Sequence, residues 1–218
     1  VPARYRYTAS WFTDNDVNKV DDGNNIVLFD TDTLPHGEYT AGEPTAFGSI
    51  PTLYSVNNGP WNNPNTWSTT RGGPAGNGGI PNAATIVRIV DNRTVTTPVP
   101  AFAGSLFIED GSVLDLGTVT GHNFTSLPDS GVVGTGRLRI ASSNYFPQGD
   151  FGIFIGPNGG TVEYYTAGSN ITIPVTSDVT NLPLTTYRNL VLTPASGNNI
   201  TLPNTNLTVY GNITVSGT

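Results

Sequence analysis

The stretch Ser105–Gly117, SLFIEDGSVLDLG, holds two short runs of alternating character, SLFI and SVLDLG, parted by Glu109, Asp110 and Gly111. Period-two alternation over four to six residues marks a half-buried strand, because successive side chains of a strand point to opposite faces. Leu106 and Ile108 share one face. Asp-Gly is a favoured two-residue hairpin turn, so the stretch reads first as an antiparallel hairpin of a β-sandwich. It reads equally as the strand, turn and strand of one repeat in a solenoid, where each strand pairs with the next repeat and not with its neighbour in sequence.

Working outward, similar runs recur from Ile86 to the end: TIVRIV, GRLRIA, FGIFIG, GTVEYY, NITIP, NLVLT, NITLP, NLTVYG and NITVSG. One parity is aliphatic, as in the pairs Leu138 and Ile140, Leu190 and Leu192, Ile200 and Leu202, Leu207 and Val209, Ile213 and Val215. The other parity carries Glu109, Arg139, Thr201, Thr208 and Thr214, which should face water. No run has a helical stripe of useful length, which excludes a doubly wound sheet with crossover helices. Near-duplication of NITIP, NITLP, NLTVYG and NITVSG favours the solenoid, at roughly 20 to 25 residues per repeat.

Composition agrees with an all-β chain. Among 218 residues only 11% are charged, while 26 are Gly and 17 Pro, a bias expected of many short strands joined by turns. Net charge is −7, Lys19 is the only lysine and the arginines are scattered, so the basic stripe that phosphate binding requires is missing and nucleic acid is not an expected partner. No apolar run is long enough for a membrane-crossing helix, and no membrane insertion is expected. The chain has no Cys and no Met, which excludes disulfides and thiolate metal sites. Half of the acidic residues lie before position 45. We therefore divide the chain into a small β-rich acidic segment over 1–50 with one clear strand, NNIVLFD, a Trp-containing cap or linker over 51–84, and the repeating strands over 85–218.

The series GPWNNPNTWS, GGIP, TIVRIVDNRTVT, SLFIEDGSVLDLG, GTVEYY, TYRNLVLT and LTVYGNITVSGT resembles the β-helical segments of very large Bacteroidetes cell-surface proteins. These are type IX secretion substrates that include the SprB-like gliding-motility adhesins. The likeness spans about residues 37 to 218. It implies a right-handed parallel β-helix, a place on the extracellular cell surface, passage through the type IX secretion machinery, and neighbouring domains on a long chain. It further implies attachment to an extracellular surface or polysaccharide. Family members commonly carry Gly-Asp before the first strand, where this chain has Ala84-Thr85. A β-helix needs a cap at each end, and because the pattern stops on a strand, the natural polypeptide is expected to continue.

Several constellations invite a chemical reading. Trp61 and Trp67, with Asn62, Asn63 and Asn65 beside them, form either a carbohydrate-stacking platform or a hydrophobic cap over the first strands. Their place just before the repeats favours the cap. Asp14, Asp16 and Asn18 have the alternate spacing of a calcium loop. The sixth position is Lys19 and Asn25 stands where a bidentate Glu would be, so an EF-hand is rejected, and two readings stay open, a solvated acidic loop, which is favoured, and a looser calcium site completed by Asp21 or Asp22. Calcium is the one cofactor considered. The triplet Asp32–Leu34 resembles the O-glycosylation signal of secreted Bacteroidetes proteins, which makes Thr33 a candidate. Asp91, Glu109, Asp110, Asp115 and Glu163 are the carboxylates a polysaccharide-cleaving β-helix would need to bring together in pairs. They are scattered along the chain, and no catalytic residue is assigned. His36 and His122 are isolated in Gly-containing loops, which argues against a triad or a His-rich metal site. One outward Thr per strand is too few for an ice-binding face. The expected function is therefore a non-enzymatic rigid spacer in an extracellular adhesin, with glycan binding as a further role, and with a polysaccharide-cleaving enzyme and a carbohydrate-binding module as alternatives.

Overall fold

A computed structural model describes residues 50–124, 131–177 and 183–217 in full, together with the backbone of five strands within residues 1–49. The chain divides into two compact units, Val1–Ile50 and Pro51–Thr218. In the first unit β1 (Pro2–Arg6) pairs antiparallel with both β2 (Ser10–Thr13) and β5 (Tyr39–Ala41), and β3 (Val20–Asp21) pairs antiparallel with β4 (Ile26–Val27). The strand expected at NNIVLFD is represented by β4.

Among its described residues the second unit is all-β apart from one helical turn and one short 3-10 turn, Pro64–Thr66, and most of its strands lie parallel. One sheet orders its strands β13, β11, β9, β6, β8, where β6 is Thr52–Ser55, β8 Trp67–Ser68, β9 Ile86–Ile89, β11 Ser105–Ile108 and β13 Val132–Gly134. The other runs β21, β18, β15, β14, β12, β10, β7, formed by Ile213–Val215, Asn189–Thr193, Thr161–Tyr165, Arg137–Ile140, Val113–Asp115, Thr94–Thr96 and Gly59–Pro60 in that order. Two further parallel pairs join β16 (Ile171–Thr172) to β19 (Ile200–Thr201) and β17 (Thr186–Tyr187) to β20 (Thr208–Val209).

Register follows the alternation read in the sequence. Val95, Leu114, Leu138, Val162, Leu190 and Ile213 stand opposite one another in successive strands, at intervals of 19, 24, 24, 28 and 23 residues. Leu106, Ile108, Leu138, Ile140, Leu190 and Leu192 are all buried and share one core; each contributes about 1.5–3 kcal/mol relative to exposure. The near-duplicates NITIP and NITLP stack directly, with Ile171 opposite Ile200 and the Asn170 Oδ1 accepting the Asn199 N–H at 2.7 Å.

Three local expectations are corrected. The Asp110-Gly111 turn does not close a hairpin: β11 pairs with β9 and β13, whereas β12 pairs with β10 and β14. It is a corner that carries the chain from one sheet to the other. Gly111 lies at φ +76°, and a Cβ there would collide with the Asn92 side chain at the corner below, so both conformation and contact demand Gly. FGIFIG does not form a strand. Gly152–Ile155 is the helical turn (α1), which leaves Ile153 65% exposed while Phe154 and Ile155 are buried, against the alternation. Asp150 Oδ1 accepts the Gly152 N–H at 3.0 Å, and Phe151 O accepts the Ile155 N–H at 2.9 Å. Finally, the parallel ladder does not begin near Thr85, because Thr52–Tyr54 already pairs with Ile86–Arg88.

The two ends of the array differ. Beyond β6 lies the antiparallel β8, with Tyr54 opposite Ser68 and Ser55 opposite Trp67. Beyond β10 lies β7, whose Pro60 has no N–H to offer a further strand. At the other end Ile213 and Val215 are 61% and 67% exposed, although they continue the positions of buried Leu190 and Leu192.

Candidate functional site

The paired tryptophans are buried, Trp61 at 2% and Trp67 at 0% exposure. Their rings meet edge to face at 5.1 Å, and the Trp67 Nε1–H donates to the Trp61 carbonyl at 2.8 Å. Trp61 also packs on Phe124 at 5.8 Å, which leads to Phe151 at 6.5 Å and on to Phe146 and Phe154. Of the two readings of Trp61 and Trp67, burial agrees with the favoured hydrophobic cap and corrects the alternative, a carbohydrate platform of Trp61, Trp67, Asn62 and Asn65: Asn62 and Asn65 are exposed, but neither indole presents a face to a sugar. The reason is packing. Pro64 starts the 3-10 turn, Asn63 caps it by accepting the Asn65 N–H at 3.0 Å, and this turns Trp67 back into the core.

The proposed calcium ligands Asp14, Asp16, Asn18, Asp21 and Asp22, and Thr33, lie outside the residues whose side chains are described. Among the described residues no group of three or more His, Asp or Glu is placed to hold a metal ion. No helix among them is long and apolar enough to cross a membrane.

The carboxylates do come together, each pair with an arginine between its members. On the outward face of the seven-stranded sheet, Asp115, Arg139 and Glu163 occupy consecutive ladder positions. Arg139 Nη1 reaches Asp115 Oδ2 at 2.6 Å and its Nε reaches Glu163 Oε2 at 3.1 Å. Arg137 Nη1 binds the same Glu163 oxygen at 2.9 Å, while Thr193 Oγ1 donates to Glu163 Oε1 at 3.2 Å. Tyr165 donates its hydroxyl to Asp115 Oδ1 at 2.8 Å and lays its ring under the Arg139 guanidinium at 4.3 Å. Burial and the bond to Asp115 raise the Tyr165 pKa. Burial by itself would lower the Arg139 pKa, but Asp115 and Glu163 more than offset it and hold the guanidinium charged. At the corner between the sheets, Arg71 Nη2 reaches Asp91 Oδ1 at 2.6 Å and Glu109 Oε1 at 2.9 Å, and Glu109 Oε2 accepts the Asp91 N–H at 2.8 Å.

Glu163 and Glu109 each accept hydrogen bonds on both oxygens, Glu163 from Arg137, Arg139 and Thr193, and Glu109 from Arg71 and the Asp91 N–H. Asp110, the remaining candidate, is exposed at the corner and pairs with none of the others. Arg71, Arg137, Tyr165 and Thr193 were missed by the sequence reading. A signal existed: Arg137 and Arg139 have outward parity and fall one repeat from Asp115 and from Glu163.

His122 is a structural residue. It is 1% exposed, its Nδ1 accepts the Ala101 N–H at 2.9 Å and its Nε2 lies 3.1 Å from the Val119 carbonyl. These partners define the neutral tautomer with the proton on Nε2. Burial lowers its pKa to about 4, against a smaller opposing effect of the Val119 carbonyl. Comparison of the chain with protein families, with curated proteins and with solved structures finds no match.

Proposed function

We propose that this chain is a non-enzymatic structural segment of a large extracellular bacterial surface protein, in which a right-handed parallel β-helix acts as a rigid spacer for adhesion. The observation that carries this reading is the seven-stranded sheet, in which every strand pair is parallel, in register and continuous from Gly59 to Val215. Each inner strand is hydrogen-bonded to the one above and the one below, so bending the array means breaking many backbone bonds at once. The arginine-bridged carboxylates support a non-enzymatic role, and the resemblance to SprB-like adhesins, with export by the type IX route, supports a surface location and a part in gliding motility.

Three experiments test the reading. Antibody labelling of intact producing cells should detect the segment outside, and deletion of residues 51–218 in frame should reduce surface attachment with export retained. Absence of label on intact cells overturns the location. Release of reducing ends or unsaturated products from a panel of bacterial and algal polysaccharides overturns the non-enzymatic role.

A further inference from the structure

A groove of about 250 Å3 runs beside the charged ladder, where the chain turns from one sheet into the other. It is lined by Asp110–Val113 from one level, Thr135–Arg137 from the next and Thr161 from the third. Its concavity has a definite cause. Gly136 is buried, and a Cβ there would strike the Glu109 carbonyl, the Ile108 side chain and the Ser112 carbonyl. The levels therefore pack backbone to backbone at this corner, and no side chain fills the space outside it.

The walls carry unspent hydrogen-bonding capacity of both kinds. Arg137 is 46% exposed and spends Nη1 on Glu163, which leaves Nε and Nη2 without partners among the described residues. Asp110 is exposed and its carboxylate is likewise unpaired there. Thr135 adds an exposed hydroxyl, and the Ser112 Oγ is buried at the groove with no partner. Asp110 accepts only and Arg137 donates only. A free anion would be repelled by Asp110 and a free cation by Arg137. A ligand whose neighbouring groups each donate and accept satisfies both walls at once, and adjacent hydroxyls on a sugar ring are that chemistry.

We propose that this groove binds the hydroxyl-bearing edge of a neutral saccharide, with Arg137 donating to one ring oxygen or hydroxyl and Asp110 accepting from the next. The site is distinct from the tryptophan platform that the structure removes, and it goes beyond the spacer reading, which holds whether or not a sugar binds. Its volume is below the roughly 300–1,000 Å3 of sites that enclose a whole small molecule, so one ring is held by its edge. Without an aromatic face to stack on, the expected Kd lies in the millimolar range.

The test is an amide chemical-shift titration of the full chain with cellobiose, maltose, mannobiose and galactobiose, each to tens of millimolar, with sodium glucuronate as the acidic comparison. Expected are saturable shifts confined to Gly111, Ser112, Gly136 and Arg137 for at least one neutral sugar. Asp110→Ala and Arg137→Gln should each weaken binding at least about fivefold, and Arg88→Ala, in the other sheet, should leave it unchanged. Asp110 is exposed and its side chain makes no hydrogen bond or ion pair among the described residues, so Asp110→Ala should leave the urea midpoint unchanged, and that midpoint is measured alongside. No saturable shift with any neutral sugar, shifts indifferent to Asp110→Ala, or binding of glucuronate alone each overturns the proposal.

Discussion

Protonation of His122 should open the fold in mild acid. In the folded chain the imidazole accepts the Ala101 N–H on Nδ1 and directs Nε2 to the Val119 carbonyl, packed between Phe124 and Tyr145. Protonating Nδ1 sets two donors against each other inside the core. The folded pKa is about 4, against the ordinary value of 6.5, so the unfolded chain takes up the proton first. Stability is therefore fully present above about pH 6.5 and declines as pH falls toward 4, below which both states are protonated and the loss levels off. The full difference corresponds to about 3 kcal/mol, of which about 2 kcal/mol is lost by pH 5. For a unit of this size that is a fall in Tm of roughly 5 °C or more at pH 5. Urea denaturation of the wild type and of His122→Gln, at half-unit steps from pH 7 to 4.5, isolates the effect, because protonation of the carboxylates is common to both. The wild type should lose about 2 kcal/mol more than the variant over this range. Parallel pH curves for the two proteins, or an imidazole resonance that titrates near 6.5 in the folded protein, would refute the reasoning.

Trp67→Ala removes a wholly buried indole that bonds the Trp61 carbonyl and should cost about 3–5 kcal/mol in chemical denaturation; in a Trp11→Phe background, the fluorescence of Trp61 and Trp67 should be blue-shifted, poorly quenched by acrylamide and unmoved by added sugars. Arg139→Ala leaves Asp115 and nearly buried Glu163 without the cation between them. A loss of about 1–3 kcal/mol in urea denaturation at pH 7 is expected, discounted because the arginine is partly exposed.

What the chain states by itself is parity. The strand pleat imposes a period of two whatever the partner, so Leu106, Ile108, Leu138, Ile140, Leu190 and Leu192 are recognisable as core residues from their spacing, and all are buried. Low charge and abundant Gly and Pro likewise announce short strands and turns, since they concern the local backbone. Pairing is different. SLFIEDGSVLDLG carries the turn chemistry of a hairpin, and only the strands lying above and below make Asp110-Gly111 a corner. The alternation in FGIFIG gave way to a helical turn whose bonds involve Asp150 and Phe151 just outside it. The place of Trp61 and Trp67 just before the repeats favours a cap, but the partner that covers Trp61 is not legible locally, because Phe124 lies far along the chain. The candidate site obeys the same division: outward carboxylates and arginines are legible one by one, but their neutralisation in pairs depends on register between strands tens of residues apart. Long-range pairing determined which charges meet, which corner stays hollow and which aromatic faces are lost to the core.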